Sequence, residues 1–225
     1  MVGWFTPDAE TRIAAAIAAA ESTTSGEIVC TYSSERHRYV EWVLALAAVT
    51  AFLVPLAATL LGFGPSDWAA FVGIWQSEPL NDRQTVEIYA LAQVVVLLLT
   101  TLALWWSPLA QRFAPLSMRR ERVHEIALKQ FLTRGIHLTA ERTGVLIHVS
   151  VEDHVVEVIA DEGIYSKVQP DHWGETAAAL LAGMSRGDTA QGFVDAIGLA
   201  GQVLASHFPP RDDDEDELPN RLLFV

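Results

Sequence analysis

The sequence predicts an α/β fold: a small sandwich with helices on both faces of a mixed sheet, interrupted by a two-helix transmembrane hairpin. Two long segments without a charged residue, 42–61 and 88–107, predict the hairpin. Short apolar runs on either side of the hairpin alternate with amphipathic helical patterns, and these predict the strands and helices of the sandwich. The chain of 225 residues is therefore long enough for one ordinary domain and a modest membrane part.

Each apolar segment is long enough to cross a bilayer. A helix of 20 residues spans about 30 Å, which is the thickness of the hydrocarbon core. The rest of the chain is too short to cover two helices that are apolar on every face, so burial in a soluble core is disfavoured. Trp42, Tyr89, Trp105 and Trp106 lie near the segment ends, as is typical of anchors at the membrane interface.

Basic residues flank the hairpin, whereas the charged residues of the loop 62–87 between its helices are mainly acidic. Arg36 and Arg38 precede the hairpin, and Arg119 and Arg120 are among the basic residues that follow it. The positive-inside rule therefore predicts cytoplasmic termini, a cytoplasmic soluble domain and an extracytoplasmic loop. The N-terminal residues lack the pattern of a signal peptide, so we expect the internal segments to direct insertion into the cell (inner) membrane as a multi-pass protein.

The remaining residues predict one discontinuous α/β domain, made of 1–38 and 117–210, around a hairpin region at 39–116. The segment 211–225 begins with a run of aspartate and glutamate, and this predicts an exposed acidic tail. The hydrophobic patterns predict strands at 27–32, 145–151 and 155–160, and helices at 8–21, 123–131, 171–185 and 189–207.

Acidic residues are predicted to converge at one edge of the sheet. If the first two strands are parallel and the third is antiparallel, Glu27 at the start of the first lies beside Asp161 at the end of the third. Converging carboxylates repel each other, and a hard cation such as Ca²⁺ or Mg²⁺ relieves that repulsion. The alternative is that these side chains cap or solvate the strand ends. The candidate ligands of a divalent cation are Glu27, Asp161, Glu162, Asp216 and Glu217.

Other motifs argue against familiar catalytic classes. Cys30 and Arg36 have the Cys-x5-Arg spacing of cysteine phosphatases, but no glycine lies between them and Cys30 falls within a predicted strand. His124 and Glu125 lack the second histidine of a zincin helix. His148 falls in the middle of a predicted strand, where we expect a hydrogen-bonded core histidine. The net charge of −13 argues against nucleic-acid binding, which needs basic surfaces.

The soluble part of the sequence resembles the TPM domain family. The resemblance implies a Rossmann-like α/β/α sandwich, divalent-cation binding, weak phosphatase activity in some relatives and roles in maintaining membrane complexes. The better-known members carry a signal peptide and one C-terminal anchor, whereas this chain carries a hairpin inside the domain. The matching stretches are Phe5 and the alanine-rich helix, 24–28, 131–139, 142–147, 160–164, Trp173, 207–209 and Asn220.

These observations predict a membrane-anchored, non-catalytic accessory or interaction module that binds a divalent cation and contacts the lipid bilayer and other membrane proteins. The alternative is a metal-dependent, acid phosphatase-like enzyme that hydrolyses simple phosphoesters. The first hypothesis is favoured because the sequence offers no nucleophile with an activating base. A further possibility is that the hairpin itself associates with partner helices, with the Gln93 amide forming a hydrogen bond across the interface.

Overall fold

The chain folds into two compact units, and one of them is built from both ends of the sequence. The computed structural model describes residues 5–71, 73, 79–107, 113–168, 170–211 and 217–225. The first unit contains Met1–His37 and Leu116–Val225, and the second contains Arg38–Pro115. The helices are α1 (Pro7–Glu21), α2 (Val40–Leu60), α3 (Pro65–Phe71), α4 (Asp82–Trp106), α5 (Leu116–Thr133), α6 (Glu162–Tyr165), α7 (Pro170–Ser185) and α8 (Thr189–His207). The strands are β1 (Glu27–Ser33), β2 (Gly144–Ser150), β3 (Val155–Ala160) and β4 (Leu222–Phe224).

The first unit is organised around a mixed sheet with the order β3-β2-β1-β4, which confirms the predicted α/β fold. β1 is parallel to both β2 and β4, whereas β2 and β3 are antiparallel. Glu27 at the start of β1 pairs with Gly144, and Ser33 at its end pairs with Ser150. Every residue of β1 and β2 is buried, as expected for strands covered on both faces.

The two faces of the sheet have different cores. α1, α7 and α8 cover the larger core, in which Ile17, Ile28, Ile147 and Phe193 are among the buried side chains. α5 and a short 3₁₀ turn at Ile136–Leu138 cover the smaller one. Because side chains alternate along a strand, this smaller face receives Val29 and then Thr31 from β1. In the same way it receives Leu146 and then His148 from β2. The face therefore changes from apolar to polar along the strands.

The second unit consists of α2, α3 and α4, and α2 packs against α4. α2 and α4 are long and apolar enough to cross a membrane. The packed side of α2 consists of Val43, Ala47, Ala51 and Pro55, which are spaced by one helical turn. No residue of α4 is fully buried.

Several elements differ from the sequence predictions in their bounds or were not predicted, and three of these differences have a clear physical reason. The tail ends in a strand, β4, whose three residues are too few to show an alternating pattern. α4 begins at Asp82 because the Asn81 and Gln84 side chains form a reciprocal capping box there, so Tyr89 lies two turns inside the helix rather than at its start. α6 is a single turn that follows β3 and has no hydrophobic period of its own.

Two glycines allow α7 and α8 to approach each other closely. A Cβ atom at Gly183 of α7 would lie 2.4 Å from the Cα atom of Gly192 in α8. No side chain fits there unless the two helix backbones separate. In contrast, a Cβ atom at Gly198 of α8 would meet nothing within 4 Å.

Gly183→Ala is expected to lower the free energy of unfolding by about 2 kcal/mol, because the added methyl group forces α7 away from α8. The measurement is denaturant unfolding of the full-length chain in detergent, followed by near-UV circular dichroism. Gly198→Ala is the matched control, and it should be neutral or stabilising by up to about 1 kcal/mol since alanine favours the helix. Equal stability of the two variants would contradict close packing of α7 on α8.

Candidate functional site

The predicted acidic edge exists at the amino-terminal end of β1 and β2. Glu27 pairs with Gly144, and the Asp161 amide donates to the Gly144 carbonyl over 2.9 Å. Glu27 and Asp161 therefore lie on either side of the same glycine, at the same edge of the sheet. Both are largely buried, with exposed fractions of 7% and 4%.

Asp161 is held by an arginine that the sequence analysis did not associate with it. The Arg142 Nε atom donates to Asp161 Oδ2 over 2.8 Å, and Nη2 donates to Oδ1 over 3.0 Å. The Glu162 amide donates to Asp161 Oδ1 as well, over 2.7 Å, so Asp161 also caps α6. The hydrogen bond to Asp161, and then the charge of Asp161, raise the pKa of the Arg142 guanidinium.

The backbone brings Arg142 and Asp161 together through two unusual positions. Arg142 has a φ of 58°, in the left-handed region that non-glycine residues seldom adopt. A Cβ atom at Gly163 would lie 2.6 Å from the Arg142 carbonyl oxygen, so only glycine allows this approach. The pairing therefore depends on local backbone geometry, which leaves no periodic pattern in the sequence.

The other acidic candidates also have protein partners. Glu27 Oε1 accepts from the Glu217 amide over 3.2 Å. Both carboxylate oxygens of Glu217 accept from the Ala140 amide, over 3.1 and 3.2 Å. Glu162 is exposed, and its carboxylate lies 3.9 Å from Arg142 Nη2. Asp216 lies outside the described residues. The chain after the acidic run thus returns to the amino-terminal edge of the sheet.

The donor chemistry of this edge suits a hard cation, but a cation would have to compete with protein donors for the same oxygens. Carboxylate oxygens are the ligands that Ca²⁺ and Mg²⁺ prefer. Both Asp161 oxygens, however, are bonded to a guanidinium that already supplies the positive charge. Within the described ranges, no group of three His, Cys, Asp or Glu side chains is arranged to hold a metal ion.

Cys30 is an inert core residue. Burial, and then the charge of Glu21, raise the pKa of its thiol, whereas a nucleophilic cysteine needs a lowered pKa. Arg36 pairs with Glu152 instead, with 3.1 Å between Nε and Oε2. The structure therefore agrees with the rejection of a cysteine phosphatase.

The opposite edge of the sheet, at the carboxyl-terminal ends of β1 and β2, is polar and buried. His148 is completely buried, and its Nδ1 atom lies 2.8 Å from Thr31 Oγ1. This confirms the expected hydrogen-bonded core histidine. Burial, and then the neighbouring His37, lower the pKa of His148 to about 4, so the ring is neutral at neutral pH.

A second group of polar residues surrounds the turn between β2 and β3. The Ser150 hydroxyl donates to Asp153 Oδ2 over 2.8 Å, and His37 Nδ1 lies 3.4 Å from the same oxygen. Arg119, in the first turn of α5, donates from Nη1 to the Asp153 carbonyl oxygen over 3.0 Å. This group was not predicted because its members come from three distant segments of the chain. The nearest available signal was the break of the apolar pattern at His148 and Ser150 in β2.

The depressed pKa of His148 predicts a loss of stability in acid. Between pH 6.5 and pH 4 the unfolded state binds a proton that the folded state excludes, so the free energy of unfolding falls as the pH falls. The loss should reach about 3 kcal/mol at pH 4.

His148→Gln should remove this part of the pH dependence, because the amide does not titrate. Denaturant unfolding of full-length protein in detergent from pH 7 to pH 4 measures the slope. His172→Gln, at an exposed histidine, is the control for replacing an imidazole by an amide outside the core. If the free energy of unfolding of His148→Gln changed with pH as steeply as that of wild type, His148 would take up a proton in the folded state as readily as in the unfolded state.

The fold and its two edges define a class of protein. It is an α/β domain with charged groups at both ends of its parallel strands, joined to two helices that are long and apolar enough to cross a membrane. Comparison with protein families matches residues 92–203 to the TPM domain, from within α4 to within α8. The chain belongs to the TPM domain family.

One solved structure supports the same fold. The NMR structure of the BA42 protein from the psychrophilic bacterium Bizionia argentinensis is 23% identical, with a TM-score of 0.58. The similarity covers 100% of this chain and 98% of that one. No curated protein matches the chain.

Proposed function

We propose that this chain is a membrane-anchored TPM-domain module with a non-catalytic, accessory role in membrane protein complexes. In this proposal, α2 and α4 cross the bilayer and the α/β unit lies in the cytoplasm. The observation that carries it is the exposure of apolar side chains along α4, such as Leu91, Leu98 and Leu102, each more than half exposed. Water would make this surface unfavourable, whereas lipid or a partner helix would cover it.

The polar groups support an accessory role over catalysis. At the amino-terminal edge, Glu27, Asp161 and Glu217 accept hydrogen bonds from the protein itself. Cys30 is buried in the core. Within the described part of the chain, these groups do not supply a nucleophile beside an activating base, which hydrolysis by covalent catalysis requires.

Membrane insertion and orientation are tested by labelling single cysteines in intact cells. Cys30 is buried, so an introduced cysteine dominates the reaction with a membrane-impermeant maleimide. Ser66→Cys, between the two apolar helices, should be labelled from outside. Ser185→Cys, at the end of α7, should be labelled only after lysis.

The same cells allow a control for insertion. The full-length chain should sediment with membranes and resist alkaline extraction, because two apolar helices that cross the bilayer are extracted only by detergent. Recovery of the chain in the soluble fraction would end the proposal. Labelling of Ser185→Cys in intact cells would instead reverse the orientation.

Binding of Ca²⁺ or Mg²⁺ at the amino-terminal edge stays a prediction. We propose that such a cation is the ligand of this module. Asp161 contacts Arg142, so a cation has to compete with the guanidinium for the same oxygens. The Arg142 side chain is about half exposed, so it has room to move away from Asp161.

Calcium titration calorimetry of full-length protein in detergent tests this site. Glu27→Gln should weaken binding by about tenfold through loss of a charged ligand. Arg142→Gln should strengthen it, because the competing guanidinium is gone. Arg186→Gln is the matched control, since Arg186 pairs with Asp195 elsewhere on the unit. Equal affinity in all variants would exclude a cation site at this edge. Hydrolysis of p-nitrophenyl phosphate that needs calcium and is lost in Glu27→Gln would favour the alternative of a metal-dependent phosphatase.

A further inference from the structure

The short helix α3, between the two long apolar helices, lies among exposed apolar side chains. It follows α2 after the connection 61–64. Phe71, at the end of α3, is 92% exposed, and Phe63, just before its start, is 64% exposed. Leu60 and Leu61, at the end of α2, are exposed as well. Water makes so many large apolar side chains in one short stretch unfavourable, so they indicate an apolar covering.

Helical geometry divides the side chains of α3 between two flanks. α3 packs against α4, and its buried residue Ala69 marks the side turned toward the hairpin. At about 100° per residue, Trp68 and Phe71 lie on one flank of Ala69, whereas Ser66 and Ala70 lie on the other. One flank is therefore aromatic, and the other carries only small side chains.

An aromatic contact fixes the level of α3 along α4. The ring centroids of Trp68 and Tyr89 are 5.9 Å apart. Tyr89 lies just after the charged residues of α4, which are Asp82, Arg83 and Glu87, and just at the start of its apolar stretch. Tryptophan and tyrosine prefer the level at which headgroups meet hydrocarbon. In a bilayer that α4 crosses, this contact places α3 at that level.

The main chain that leads into α3 satisfies its own donors. Each N–H group from 61 to 64 donates to an acceptor within the same stretch of chain. The Phe63 amide donates to the Ala58 carbonyl over 2.9 Å, which closes the end of α2. The Gly64 amide donates to Asp67 Oδ2 over 2.8 Å. Internal pairing of this kind is what a segment at the edge of the hydrocarbon requires, because little water is present there to replace it.

These observations favour lipid over a partner protein as the covering. The exposed apolar side chains at 60, 61 and 63 connect α3 along the chain to α2, whose surface is covered by lipid in the proposed function. A partner protein would also be recognised through polar groups at the rim of its interface. Asp67, the charged residue of α3, instead directs its carboxylate to the Gly64 amide of its own chain.

We propose that α3 lies in the lipid–water interface at the loop end of the hairpin, with Trp68 and Phe71 in the lipid and Ser66 and Ala70 facing water. The inference rests on the proposed function, because it requires α2 and α4 to cross the bilayer. The first part of the connecting loop is then seated in the membrane surface, as amphipathic interfacial helices are.

Spin labels on single introduced cysteines test the two flanks in purified full-length protein in phosphatidylcholine liposomes. Phe71→Cys and Ala70→Cys are neighbours on opposite flanks, and the native Cys30 is buried. Power saturation compares collisions with oxygen, which concentrates in lipid, and with a neutral nickel chelate, which concentrates in water. The oxygen-to-nickel ratio should be at least about threefold higher for Phe71→Cys, because an interfacial helix buries its apolar flank about 5–10 Å deep.

A third label separates failure of this inference from failure of the proposed function. Leu98, in the middle of α4, is exposed, so Leu98→Cys should have a still higher oxygen-to-nickel ratio in a crossing helix. Nickel dominance at Leu98→Cys would overturn both proposals. Oxygen dominance there, with equal ratios at Phe71→Cys and Ala70→Cys, would overturn only the position of α3. Weak collisions with both reagents at Phe71→Cys would show that protein covers this flank, and would also overturn it.

Labelling in intact cells gives an independent readout. Ser66→Cys faces water in this arrangement and should react with the membrane-impermeant maleimide, whereas Phe71→Cys should react much more slowly. Denaturation in detergent should make the two rates equal, which controls for the reactivity of the thiols. Equal rates in intact cells would contradict an interfacial α3 and leave the crossing of α2 and α4 intact.

Discussion

The parallel pairing of β1 with β2 is the interaction on which the rest of the first unit depends. The seven paired positions from Glu27 to Ser33 fix the register of the sheet. They also decide which residues meet at each end, since parallel strands begin at one edge and end at the other. Gly144 and Asp161 thereby lie next to Glu27, while the polar ends of β1 and β2 meet beneath the start of α5. The second unit is inserted into the connection between these two strands without changing their pairing.

The two edges of the sheet differ in how their polar groups are satisfied. At the amino-terminal edge, Arg142 neutralises Asp161 through two hydrogen bonds, and main-chain amides donate to Glu27 Oε1 and to the Glu217 carboxylate. Such pairing stabilises a folded arrangement, because each buried carboxylate keeps a donor. At the carboxyl-terminal edge, His148 keeps a buried nitrogen without one. A ligand at the first edge therefore has to compete with protein donors, whereas the second edge keeps a buried nitrogen that no described residue uses.

The sequence predicted the features that depend on local patterns. The helix at Thr189–His207 and the strand at Val155–Ala160 have the predicted bounds, because each has a clear hydrophobic period and a polar boundary. The placement of Glu27 and Asp161 at the same edge of the sheet followed from strand direction alone. β4 was missed because three residues carry too little pattern. The pairing of Arg142 with Asp161 was missed because it depends on one left-handed residue, and such geometry leaves no periodic trace.

The position of the second unit within the chain constrains the order of events during biosynthesis. Among the described residues, the two strands that pair with β1 both come after the apolar helices: β2 follows α5, and β4 lies at Leu222–Phe224. The nascent β1 therefore leaves the ribosome before either of these strands exists, and α2 and α4 are synthesised in the interval. Domains fold as units once their residues are available, so the four-stranded sheet can close only after β4 has been synthesised.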